Sequence, residues 1–234
     1  MEVDKGDYKL YKGDCLEVMD RLIEEGAKFD LILTDPPYEL DNHGKGKNDF
    51  KDRKLVKDNH IGFMSNGFDY NDVFDKMLKL QYTPNILIFC SNKQISKIMS
   101  YFESKKLSCT LLIWNKSNPI PLCNGKYVSD VEFIVYVRGK KAPFNNGVGI
   151  KYKYKVKKYP TVNAKQRFHP SEKPVALLEE LINLHSFEGQ KVLDCFMGSG
   201  STGVACINTN REFTGIELDE KYFDISIQRL ENLV

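Results

Sequence analysis

A chain of 234 residues, 41% hydrophobic and 28% charged, can bury a full core and reads as one domain. No apolar run approaches the roughly 20 residues needed to cross a bilayer. Met1-Glu2-Val3-Asp4-Lys5 has no apolar signal region, so composition argues against membrane insertion and export and predicts the cytoplasm.

Taken in chain order, Tyr8 to Tyr11 reads as a buried strand, Leu16 to Glu25 as a helix, and Phe29 to Leu33 as a strand that runs into Asp35-Pro36-Pro37-Tyr38. Glu39 to Gly67, rich in Asp, Asn, Gly and Lys, is expected to be a long mobile loop beside that turn. A helix over Tyr70 to Leu80, a strand over Asn85 to Cys90 and a helix over Lys93 to Ser104 follow. Thr110 to Trp114 and Glu132 to Val137, separated only by turn residues, predict an antiparallel hairpin at one sheet edge. Ala142 to Pro170 resists regular structure. Val175, Leu178, Leu181, Ile182 and His185 share a face of the next helix, with Pro174 in its first turn and Gly189 past its end. Lys191 to Cys195 then reads as a strand, Thr202 to Asn208 as a helix and Phe213 to Ile216 as a strand ended by Glu217. Alternating strands and helices imply an α/β fold, a mostly parallel sheet covered on both faces.

Net charge is only +2, yet nine basic residues and no acidic one lie between Gly139 and Arg167, which points to a polyanion. Lys151, Lys153, Lys155 and Lys157 alternate with Tyr152, Tyr154 and Val156, so on a strand the lysines would face one way and could follow phosphates, joined by Lys158, Lys165 and Arg167. A lysine-rich edge strand kept soluble would read the same. Candidates for reading bases are Asn145, Asn146, Asn163, Gln166 and Arg167, with Asn42, His43, Lys45 and Lys47 in the loop. The six cysteines form no Cys-x-x-Cys pair and the four histidines sit near none, so reduced thiols and no metal site are expected.

Two motifs carry chemistry. In Asp194-Cys195-Phe196-Met197-Gly198-Ser199-Gly200-Ser201-Thr202, glycines let the backbone approach a ligand and Ser201 and Thr202 can cap the next helix. Glu217, at the end of the following strand, is placed to grip both hydroxyls of a ribose. Gly203 completes a Gly-x-Gly-x-x-Gly spacing, so this loop alone leaves a nicotinamide cofactor open. In Asp35-Pro36-Pro37-Tyr38, the Asp35 carboxylate and Pro36 carbonyl can accept both hydrogens of a nucleobase amino group. That aims the nitrogen lone pair at an electrophile, while Pro37 stiffens the turn and Tyr38 stacks on a base drawn out of its duplex.

Together the motifs resemble those of S-adenosylmethionine-dependent DNA amino methyltransferases. Their order is the acidic turn, a basic segment, His169-Pro170-Ser171-Glu172-Lys173-Pro174, then the glycine turn, and it is similar to the circularly permuted β group of adenine-N6 and cytosine-N4 enzymes. The resemblance implies a Rossmann-like, seven-stranded sheet with one antiparallel strand. It divides the chain 1–234 into a catalytic half (1–138), a target-recognition segment (139–170) and a cofactor half (171–234). It implies that Gly13, Asp14 and Cys15 contact the cofactor adenine, Phe196 packs near it, Glu217 holds its ribose, and His169, Ser171 and Lys173 close over its methionine end. Asp194, Gly198, Ser199, Gly200, Ser201 and Thr202 would shape the same site, with Asp35 near the cofactor amino group. Asp at the first position of the acidic turn favours adenine-N6 over cytosine-N4. Double-stranded DNA is the implied substrate, with a homodimer and a cognate restriction endonuclease as candidate partners; a catalytically silent DNA-binding subunit is the non-enzymatic alternative.

Overall fold

Alternation of side chains along short apolar strands decides which layer each residue joins. The computed structural model describes residues 1–37, 70–121, 125, 127–163 and 165–233. Among these, strands β1 (Glu2–Asp4), β2 (Tyr8–Lys12), β3 (Leu31–Thr34), β4 (Asn85–Cys90), β5 (Ser108–Lys116), β6 (Val131–Arg138), β7 (Val156–Tyr159), β8 (Lys191–Asp194) and β9 (Glu212–Glu217) form one sheet. Their order is β1-β2-β9-β8-β3-β4-β6-β5-β7. From β2 to β4 all neighbours are parallel; β6 opposes β4 and β5, β1 opposes β2, and β7 is parallel to β5.

Helices α1 (Cys15–Glu24), α2 (Tyr70–Lys79) and α3 (Ile95–Ser104) cover one face, where Met19, Phe74 and Phe102 pack on Ile32, Ile86, Ile88 and Val135. On the other face, α4 (Val175–His185), α5 (Ser201–Asn208) and α6 (Glu220–Glu231) pack Leu178, Leu181, Ala205 and Phe223 on Leu31, Leu33, Leu87 and Phe213. Leu31 and Leu33 thus go one way and Ile32 the other, the two-residue period of a doubly covered strand. Among the described residues no helix is long and apolar enough to cross a membrane.

Several expectations need correction. The sheet has nine strands among the described residues, not seven, and two run against the rest. The extra strands are the short edge strands β1 and β7, whose sequences Glu-Val-Asp and Val-Lys-Lys-Tyr offer too few apolar residues to announce themselves. The hairpin of β5 and β6 exists, but β7 lies outside it, so it is not at the edge. The segment from Ala142 to Pro170 holds β7 and a 3-10 turn at Ile150–Lys153. The lysine alternation is broken accordingly. Lys151 and Lys153 lie in the turn, and Lys157 points inward, 2% exposed, with Nζ 2.6 Å from the Glu180 carboxylate on α4. Helix α6 had no counterpart in the sequence reading. Glu39 to Gly67, including Asn42, His43, Lys45 and Lys47, lies outside the described residues.

Candidate functional site

Parallel strands β2, β9, β8, β3 and β4 all end at one edge, and the chemistry-bearing turns collect there. Asp35 follows β3, Asp194 ends β8, Glu217 ends β9, and Gly13-Asp14-Cys15 connects β2 to α1. They line a cavity of about 380 Å³ with Pro36, Pro37, His169, Ser171, Lys173, Phe196, Gly198, Ser199, Ser201 and Thr202. Of the residues expected at the site, Gly200 is not on the wall and Tyr38 lies outside the described residues. Glu172, Leu218, Asp219 and Tyr222 also line it and were missed. Asp219 had a signal, since an Asp before a helix is a capping residue, and its side chain accepts from Tyr222 N at 3.0 Å.

The glycine turn is built around Asp194. Oδ1 accepts from the Thr34 hydroxyl at 2.8 Å and the Phe196 amide at 3.1 Å, and Oδ2 from the Thr202 hydroxyl at 2.6 Å. Burial outweighs these donors and pushes its carboxyl up to about 6. Thr202 therefore does not cap α5, and Ser201 donates to Glu172 at 3.3 Å instead; the N-cap is Gly200, at φ 80°. A side chain there would be strained and would meet Ser226 Cβ at 2.9 Å, so glycine is demanded twice over. Glu217 accepts from Gly198 N at 2.9 Å and from Asp219 N at 2.8 Å, which fixes its carboxylate on the cavity wall. Burial raises its carboxyl above the ordinary range against those two amides.

The segment from His169 to Pro174 closes the opposite wall. Glu172 pairs with Arg229 of α6 at 3.0 Å, and Arg229 also donates to the Ser199 carbonyl at 2.8 Å, so one guanidinium ties this segment to the glycine turn. His169 Nδ1 accepts from Ser171 N at 3.2 Å, and its ring meets Tyr222 edge-on at 4.3 Å. Burial, reinforced by the Lys173 charge, lowers its pKa to about 4, so it is neutral at pH 7.

Asp35 is held by Lys173, whose side chain is 6% exposed, and Lys173 also reaches Glu132 at 3.3 Å. Burial acts to lower the Lys173 pKa, but the Asp35 and Glu132 carboxylates outweigh it and raise it. The turn itself is pinned at the Pro37 carbonyl, which accepts from the Tyr70 hydroxyl at 2.5 Å and Gln94 Nε2 at 3.2 Å. Tyr70, Gln94, Glu132 and Arg229 were invisible to motif reading, because each reaches the site from a distant element. Among the described residues no His, Cys, Asp or Glu group is arranged to hold a metal. Of the basic residues, Lys151, Lys155, Lys158, Lys165 and Arg167 are exposed, Lys153 is half-buried and Lys157 is not available.

The chain matches the DNA methylase family over residues 29–228. It is 25% identical to the type II methyltransferase M2.MboI of Moraxella bovis, across 99% of this chain and 90% of that protein. It is 28% identical to M.HinfI of Haemophilus influenzae, across 96% and 68%. Among solved structures, the M1.HpyAVI–SAM complex superposes with a TM-score of 0.74 at 29% identity, covering 95% of this chain and all of that one (100%). The cytosine-N4-specific PvuII DNA methyltransferase shares the fold, with a TM-score of 0.67 at 15% identity.

Proposed function

The chain belongs to the DNA methylase family, and from that premise we propose that it transfers the methyl of S-adenosylmethionine to N6 of an adenine turned out of duplex DNA. DNA amino methylation of the N6/N4 type is the family's activity; the choice of adenine, and the residue roles below, are this reading. One observation carries it: the acidic turn after β3 and the glycine turn after β8 open on the same cavity.

That cavity fits a nucleoside-bearing cofactor. Its volume of about 380 Å³ lies within the range of small-molecule sites, and Glu217 presents a fixed carboxylate to it for two ribose hydroxyls. When bound, S-adenosylmethionine supplies an electrophilic methyl. The protein does the rest. Asp14 and Cys15 would border the adenine with Phe196, and His169, Ser171 and Lys173 the methionine end. The Asp35 carboxylate and Pro36 carbonyl would accept the two amino hydrogens of the target base, directing its lone pair toward that methyl. Asp35 is well placed for this because the Tyr70 and Gln94 donors pin the turn behind it. Tyr38 would stack on the extruded base.

The exposed cations of 139–170 support a role for that segment in following DNA phosphates, within one catalytic unit spanning the chain. Asp35 at the head of the turn favours adenine. The type II designation of the relatives supports a cognate restriction endonuclease as a partner in the cytoplasm, and light scattering tests a homodimer. The first test is to incubate the protein with unmethylated DNA and S-adenosylmethionine, digest to nucleosides and identify the product by mass spectrometry. N6-methyladenine is expected. N4-methylcytosine would overturn the base assignment, and no product would favour a silent subunit.

A further inference from the structure

A second cavity, also of about 380 Å³, lies at the same sheet edge, beyond the acidic turn. Lys116 at the end of β5, Glu132 at the start of β6 and Arg167 face it, with Trp114 and Ile120 as apolar wall, and it meets the first cavity at Ser171 and Glu172. Behind its wall runs a ladder of alternating charge. Lys116 Nζ lies 3.0 Å from Glu132 Oε1, Glu132 Oε2 lies 3.3 Å from Lys173 Nζ, and Lys173 holds Asp35 Oδ2. Burial would raise Glu132, but Lys173 and Lys116 hold it below the ordinary carboxylate range.

Among the described residues each inner ion of the ladder is shared between at least two partners, and a shared ion redistributes when one partner is drawn away. We propose that this second cavity binds a backbone phosphate of the DNA strand, and that its occupancy is transmitted through Lys116, Glu132 and Lys173 to release Asp35 for the target base. The proposal rests on the DNA methylation reading above. Lys116 and Arg167 face two carboxylates there, Glu132 and Glu172, but Glu172 is already paired with Arg229 at 3.0 Å, so the two cations outweigh the one carboxylate left and suit a phosphodiester anion; among the described residues the exposed Arg167 donates to the Pro170 carbonyl at 3.1 Å. Phosphate contact with Lys116 weakens its hold on Glu132. Glu132 then takes more of the Lys173 ammonium, and the Asp35 oxygen that Lys173 occupies becomes an acceptor for an amino hydrogen. Lys116 and Glu132 are positioning residues in this scheme; of the four groups of the ladder, Asp35 alone touches the base.

The test compares Glu132→Gln, Lys116→Met, Lys116→Arg and the unaltered chain in three measurements. These are methyl transfer to unmethylated plasmid DNA, S-adenosylmethionine binding by calorimetry, and the salt dependence of binding to a mixed-sequence duplex. Glu132→Gln removes one carboxylate from Lys173 and tightens its hold on Asp35, so kcat should fall on the order of 10- to 100-fold, with cofactor affinity and salt slope as in the unaltered chain. Lys116→Met should flatten the slope of log K against log salt by about 0.9, the value of one phosphate, and Lys116→Arg should restore it. An unchanged slope in Lys116→Met overturns the phosphate site. Full kcat in Glu132→Gln, or loss of cofactor binding in parallel with kcat, overturns the coupling. If the unaltered chain transfers no methyl to DNA, the functional reading itself falls and the coupling with it.

Discussion

The two edges of the sheet treat buried polar groups in opposite ways. At the carboxyl edge, Asp35, Lys173, Glu132 and Lys116 are paired with one another and placed along cavities. At the amino edge, polar groups are buried away from either cavity: Asn85 opens β4, Tyr136 and Arg138 close β6, and His185 ends α4. Asn85 Nδ2 donates to the Asp30 and His185 carbonyls at 2.8 Å each, tying β4 to the chain before β3 and to α4. Both His185 ring nitrogens, the Tyr136 hydroxyl and Arg138 Nε have no hydrogen-bond partner among the described residues. A group that must act needs a partner it can exchange. A group that only joins elements can be sealed in, at some cost in stability.

The sharpest way to break this comparison is at Asp35. Asp35→Ala should reduce methyl transfer at least a thousandfold, on the order of losing both positioning and electrostatics at the reacting nitrogen, while the fold stays intact with a lowered urea midpoint, because the buried Lys173 loses one counter-ion and keeps Glu132. Steady-state kinetics beside urea melts would separate the two. Retained turnover would move the base acceptor elsewhere and leave the carboxyl edge without its distinguishing function.

Asp194 tests the edge from within, since it is a carboxylate of the same edge with a structural load. Asp194→Ala strands the Thr34 and Thr202 hydroxyls and the Phe196 amide, so a stability loss of about 3 kcal/mol is expected, with weakened cofactor binding as the glycine turn loosens. Denaturation and calorimetry would show both losses together. The contrast with Asp35, where cofactor binding should survive while turnover is lost, is what separates a group that exchanges partners from one that does not.

Much of this edge was legible because local sequence determines it. A strand followed by Asp-Pro-Pro, or by a glycine-rich turn, fixes where its first polar side chain emerges, and Asp35, Asp194, Gly198 and Glu217 all stand where the strand ends place them. Partner choice across the fold was not legible. Nothing near Lys157 foretells Glu180, 23 residues on, which turns an apparent DNA-facing lysine into a buried ion pair. Nothing near Lys173 foretells Glu132 and Lys116, which come together only because β6 runs backwards between β4 and β5. The edge strands escaped for a related reason: β1 and β7 are held by their neighbours' backbones rather than by apolar content of their own.

The smallest effect is expected at the amino edge, and it has the opposite sign. His185 is 1% exposed, its ring lies 4.2 Å from that of Tyr136 and 5.5 Å from that of Phe144, and neither nitrogen has a partner among the described residues. His185→Phe keeps the aromatic packing and removes the unsatisfied nitrogens, so a gain of about 1 kcal/mol at pH 7 is expected. Acid should widen the gap. Burial, with the Lys157 and Arg138 charges adding, lowers the His185 pKa from 6.5 to about 3. A lowered pKa means that the stabilising contribution is present above 6.5 and lost as pH falls, because the unfolded chain takes up a proton that the folded one refuses. Between pH 7 and 5 that loss is about 2 kcal/mol for one such histidine, and His169, lowered to about 4, acts in the same direction. Urea melts of both proteins at the two pH values should therefore show the variant losing less than its parent; equal losses would mean that His185 finds a proton partner in the folded protein and that the amino edge is not sealed.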